Sequence, residues 1–101
     1  MSPRQEVIMC VTLVGGMDRL HREYKELALD YGITLNVLSG GESNLDDRFG
    51  FPDAAILVTD MVSHKARDVV MRKRKRQGIP VVFLRKPSAS AMKQCLSCLV
   101  D

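Results

Sequence analysis

A chain of 101 residues, 46% hydrophobic and 27% charged, fits one globular domain, which at this size buries roughly 65% of its unfolded surface without needing staples. Aromatics make up only 5% and Trp is absent, so the core must be aliphatic; a net charge of +3 permits an anionic partner without demanding one. Three cysteines, a polar start "MSPRQEV" and no apolar run near ~20 residues argue against a disulfide framework, a secretion signal and a membrane span, and for a reducing, cytoplasmic setting.

"EVIMCVTLVGG" is apolar on both faces from Val7 to Val14, the pattern of a central parallel strand, and Gly15-Gly16 closes it. In "MDRLHREYKELALDYG", Leu20, Tyr24, Leu27, Ala28 and Tyr31 recur at helical spacing, with Asp18 as a candidate N-cap and Gly32 as a stop. "ITLNVLSGG" alternates, as a strand near a sheet edge does. "ESNLDDRFGFP" is polar and reads as a loop or a short irregular helix. "DAAILVTD" is a third strand, apolar from Ala54 to Val58.

"VSHKARDVVMRKRKRQG" is a second long helix with Val62, Ala66, Val69 and Val70 as its buried stripe and Gly78 as its end. "IPVVFLRK" is a fourth strand. "PSASAMKQCLSCLV" is a closing helix started by Pro87 and Ser88, with Met92, Leu96 and Leu99 inward. This alternation predicts a single three-layer α/β domain over residues 1–101. It would be Rossmann-like or flavodoxin-like, with a four-stranded parallel sheet in order 2-1-3-4 and right-handed crossovers.

An open parallel sheet keeps its ligands beyond the carboxyl ends of its strands, where strand order reverses, here between the first and third strands. Three segments converge there. "VGGMDR" offers Gly15 and Gly16 for close backbone approach, free N–H groups at a helix start, and the charge of Arg19. It lacks the third glycine of a dinucleotide fingerprint and the Lys-Ser/Thr of a P-loop. "TDMVSHK" offers Asp60, Ser63, His64 and Lys65. Ser63 or Asp60 could cap the next helix, yet His64 and Lys65 are cations at a helix end that disfavours them, which a bound anion or water would relieve. "LRKPSAS" offers Arg85, able to grip a phosphate or carboxylate with two hydrogen bonds, and Ser88 at a helix start. Arg85 and Asp60 could also pair across the edge, a contact that a ligand would open.

"RKRKR", Arg72, Lys73, Arg74, Lys75 and Arg76, sits near a helix end that favours cations, and most of these side chains should reach solvent. Its sharper reading is a contact with nucleic-acid phosphates or a partner, without the aromatic platform that single strands need. "CLSC", Cys95 to Cys98, has C-x-x-C spacing but lies in a late helix without a second pair, so it reads as two small helix residues, one partly buried. Cys10 sits mid-strand and reads as core. Ser63 and His64 are sequence neighbours and do not face each other on a helix, and no constellation names a reaction.

Taken together and in order, "LVGGMDRLHREYKELALDYG", "LSGGE", "TDMVSHKA" and "VVFLRKPSAS" resemble the bacterial DUF2325 family of short α/β proteins, from about Val7 to Leu96. Gly15, Gly16, Tyr24, Gly40, Gly41, Asp60, Ser63, His64, Arg85 and Ser88 match that pattern position by position. The family has no established function, so the resemblance implies residues and no reaction. The reading for this chain is a cytosolic binding or regulatory domain holding a small anionic ligand, nucleotide-like or phosphate-like. Gly15, Gly16, Arg19, Ser63, His64, Lys65, Arg85 and Ser88 would hold the anion, and Asp60 would orient Arg85 or accept from a sugar hydroxyl. The sequence leaves any cofactor unidentified and offers no metal ligand set. The alternatives are a nucleic-acid or partner interface on Arg72–Arg76, and an enzyme with His64 as general base. An edge strand, Ile33 to Leu38 or Pro80 to Leu84, could pair two copies into a homodimer.

Overall fold

A computed structural model describes residues 9–16, 18–41 and 44–100. The elements are β1 (Met9–Val14), α1 (His21–Leu29), β2 (Ile33–Leu38), α2 (Leu45–Arg48), β3 (Ala54–Val58), α3 (His64–Gln77), β4 (Val81–Leu84) and α4 (Ala89–Val100). Single 3-10 turns, Asp18–Leu20 and Thr59–Met61, follow β1 and β3. The four strands form one all-parallel sheet in the order β2-β1-β3-β4, as the alternation required. Val7 and Ile8 of the expected first strand lie outside the described residues.

The sheet is covered on both faces, and side-chain alternation sorts the apolar residues between them. Val11, Leu13, Leu35 and Ile56 face α1 and α4, where Tyr24, Ala28, Met92 and Leu96 meet them. Val14, Leu38, Ala55 and Leu57 face α2 and α3, meeting Leu45, Phe49, Ala66 and Val70. All five residues of β3 are buried, which accounts for its unbroken apolar run. Val62 packs against the α3-side core as expected but precedes the helix, which starts at His64.

The second crossover is unusual. Where a full helix would cover β2 and the start of β1, the chain supplies only the four residues of α2. Phe49 and Leu45 plug this stub into the core, and the Thr12 hydroxyl donates to the Phe49 carbonyl at 3.0 Å. The amino-terminal part of that face stays open, leaving Thr34 and Asn36 exposed. Cys10 shares this fate: it is exposed, not core, because none of the described helices lies over it. In α4, Cys95 is buried and Cys98 exposed; burial pushes the Cys95 thiol up to about 11, so it is an inert packing group.

Two helix starts use the residues expected and one does not. Ser63 caps α3, its Oγ accepting from Ala66 N–H at 3.0 Å, and Ser88 accepts likewise from Ala91 N–H at 3.2 Å at the start of α4. Asp18 is no cap: the 3-10 turn intervenes, α1 follows Leu20 without a side-chain cap, and the Asp18 carboxylate turns toward His21. Gly78 ends α3 in the left-handed conformation at φ 64°, as a terminating glycine should.

Four of the five cations in the Arg72–Arg76 run are exposed, but Lys73 is not part of a solvated face. Its ammonium reaches Asp46 of α2 at 2.8 Å, with only 16% of the side chain exposed. The hydrogen bond and charge of Lys73, with smaller help from Arg72 and Arg76, hold the Asp46 carboxyl below its ordinary value of 3.8. A carboxyl that binds its proton less tightly when folded stabilises the fold above the unfolded value and loses that contribution as the pH falls through the folded one. Asp46→Asn is therefore expected to lower the melting temperature at neutral pH, and the two melting curves should converge below pH 3.8. A constant difference across that range would show that the pair does not act through charge.

Candidate functional site

Four loops leave the carboxyl edge of the sheet, and they interlock. Gly15 N–H donates to the Leu38 carbonyl at 2.9 Å, and Ser63 N–H donates to the Gly40 carbonyl at 3.0 Å. The Tyr24 hydroxyl donates to the Pro87 carbonyl at 3.4 Å, tying α1 to the loop before α4. Arg85 Nε stands 3.8 Å from Asp60 Oδ2, joining the ends of β3 and β4 through a pair whose members are both well exposed.

This interlocking explains most of the rim glycines. Gly15 and Gly16 have φ of 106° and 90°, and a Cβ would lie 2.9 Å from Val58 Cβ at the first and 3.0 Å from Tyr24 Cε2 at the second. At Gly40 a Cβ would overlap the Met61 carbonyl oxygen. Gly41 differs: among the described residues nothing lies within 4 Å of its Cβ position, and its φ is not left-handed. Neither its backbone conformation nor any packing contact among the described residues calls for glycine there.

The loops enclose a shallow depression of about 540 Å³, lined by Gly16, Asp18, Arg19, Ser39, Gly40, Gly41 and Met61. A second one, about 340 Å³, lies between α2 and α3 and includes Ser63, Lys65 and Asp46. Gly41 borders both. Of the expected residues, Gly16 and Arg19 therefore line the larger depression, and Ser63 and Lys65 the smaller. Arg19 is exposed and makes no ion pair among the described residues. Gly15 lies beneath the rim against Val58 and Val62. Asp60 and Arg85 pair with each other, and the Ser63 and Ser88 oxygens accept the capping N–H groups of α3 and α4, which leaves each O–H to donate. His64 is exposed at the start of α3, and the Ser63 hydroxyl beside it points to Ala66, so the two form no nucleophile–base pair. No group of three His, Cys, Asp or Glu among the described residues could hold a metal ion.

Ser39 and His21 were not singled out by sequence reasoning. Ser39 sits on the rim and its Oγ accepts from Gly41 N–H at 3.2 Å. His21 Nε2 lies 3.5 Å from the rim carboxylate of Asp18, buried and without a hydrogen bond, and its ring tilts at 41° to Tyr24. The signal was present as the i, i+3 spacing Asp18–His21–Tyr24, which stacks side chains on one helical face.

The fold and rim define a small parallel α/β domain with an open cleft at the carboxyl edge of its sheet. No helix among the described residues is long and apolar enough to cross a membrane. The chain belongs to the DUF2325 family, described as an uncharacterized protein conserved in bacteria, whose match runs over residues 10–99. No curated protein and no solved structure matches it.

Proposed function

We propose that the depression at the carboxyl edge binds a small anionic, phosphate-bearing ligand, and that the protein is a binding or regulatory domain. The observation that carries this reading is the lining itself. Arg19, a guanidinium without an ion pair among the described residues, shares a carboxyl-edge cleft with Gly41, a glycine that no packing contact among the described residues requires. A missing side chain with no packing role is accounted for by a ligand lying close against the backbone there. Ser39 supplies a hydroxyl. Arg85, on the same carboxyl edge, stands in an exposed pair with Asp60, a contact that contributes little to stability and so yields readily to an anion.

The test is thermal stabilisation by inorganic phosphate, pyrophosphate, AMP and ATP at low and moderate salt. A ligand at ~100 times its dissociation constant adds about 2.7 kcal/mol. One class should give a saturable, salt-tolerant shift that Arg19→Ala abolishes. Gly41→Ala should leave the empty protein as stable as before, or about 0.4–1 kcal/mol more stable through a stiffer unfolded chain, while weakening the shift. No shift from any of the four, or a shift that Arg19→Ala leaves unchanged, would reject this site.

A further inference from the structure

Away from the rim, charge is distributed very unevenly. α3 holds seven Lys and Arg against one Asp, a formal +6, whereas the whole chain carries +3, so everything outside this one helix sums to −3. Lys73 is neutralised by Asp46. The other six cations are exposed and make no ion pair among the described residues. At 3.6 residues per turn, Lys65, Arg72, Lys75 and Arg76 share one arc of about 100°, a stripe about 16 Å long. Its densest end, Arg72 to Arg76, lies at the amino edge of the sheet, because α3 runs back from the carboxyl edge. This end is therefore remote from the rim cleft.

Like charges at i, i+3 and i, i+4 repel, and the negative helix terminus relieves only part of that. Such a stripe is suited to a polyanion. The apolar residues Ala66, Val69 and Val70 turn toward the sheet, and the one further apolar residue of the helix, Met71, is half-buried, so α3 has no apolar row to insert into a lipid surface. Single-strand recognition relies on stacked aromatics, and α3 has none. Its one amide, Gln77, already donates to the Gly50 carbonyl at 3.0 Å and is not free to read a base. We propose that the exposed side of α3 binds the phosphate backbone of duplex nucleic acid without reading its sequence, as a site separate from the rim cleft.

The experiment is fluorescence anisotropy with two labelled DNA duplexes of unrelated sequence, each about 20 base pairs, between about 50 and 200 mM salt. Both duplexes should bind alike. The slope of log K against log salt should be about −3.6, for four neutralised phosphates at ~0.9 each. The triple variant Arg72→Gln, Lys75→Gln, Arg76→Gln should bring that slope close to −0.9, while its melting temperature holds or rises as repulsion is removed. Arg72→Lys with Arg76→Lys, which keeps the charge, should keep the slope. Three results would overturn the proposal: no duplex binding at the lowest salt, a folded triple variant that binds like the parent, or capture by anionic phospholipid vesicles but not by DNA.

Discussion

Phe49→Ala is expected to lower the unfolding free energy by about 3–5 kcal/mol, a large share of the ~5–15 kcal/mol that holds a domain of this kind together. Phe49 is 1% exposed and heads the fully buried side chains by size. Its loss leaves a void, and it also frees the stub that it anchors. A four-residue helix has no stability of its own, since nucleation alone is unfavourable. Around Phe49, the Asn36 amide donates to the Arg48 carbonyl at 3.1 Å, Thr12 to the Phe49 carbonyl at 3.0 Å and Gln77 to the Gly50 carbonyl at 3.0 Å. These bonds hold the loop only while the ring keeps it seated. Phe51, two residues on and 90% exposed, is the control: Phe51→Ala should change stability by no more than about 0.5 kcal/mol. Urea midpoints measure both. Equal costs for the two would mean that the α2 segment does not plug the sheet face.

Gly40→Ala is the second large effect. The new methyl would overlap the Met61 carbonyl oxygen and lie 2.9 Å from Val62 Cα. Both obstacles are backbone, and no rotamer can relieve them. The cost should reach the upper end of the ~1–3 kcal/mol typical of overpacking. The same shift would pull Gly40 away from Ser63 N–H and disturb the cap of α3. Thermal or urea unfolding of Gly40→Ala beside Gly41→Ala gives the sharpest reading, because the first should destabilise while its neighbour leaves stability unchanged or slightly raised. If Gly40→Ala melts like the parent, the loops after β2 and β3 do not abut and the rim geometry described above fails with them.

The periodicities and punctuation marks were legible along the chain. The alternation of β2 marked it as an edge strand and the unbroken runs of β1 and β3 as interior, whereas the equally unbroken apolar run of β4 sits at the other edge; apolar spacing located α1, α3 and α4, and Ser63, Ser88 and Gly78 announced helix ends. Together with right-handed crossovers they were enough for the strand order β2-β1-β3-β4. The Asp60–Arg85 contact was legible too, because topology places both at neighbouring strand ends.

What escaped was every property set by a partner distant in sequence. Phe49 and Phe51 belong to the same polar stretch, and only the packing of α2 makes one core and leaves the other in water. Cys10 reads as core within an apolar strand, yet the crossover that should cover it is too short. Lys73 belongs by composition to a solvated run, and only the approach of Asp46 withdraws it. Gly15, Gly16, Gly40 and Gly41 look alike as two pairs, but three are required by side chains or carbonyls that folding brings against them, whereas no described residue requires the fourth. By itself, the sequence determined the elements, their faces and the edge of the sheet where a site belongs, because these follow from local periodicity, turn chemistry and chain handedness. Only the tertiary structure decided which rim groups are held by packing and pairing and which line the depressions, because those partners are brought together by folding and not by sequence neighbourhood.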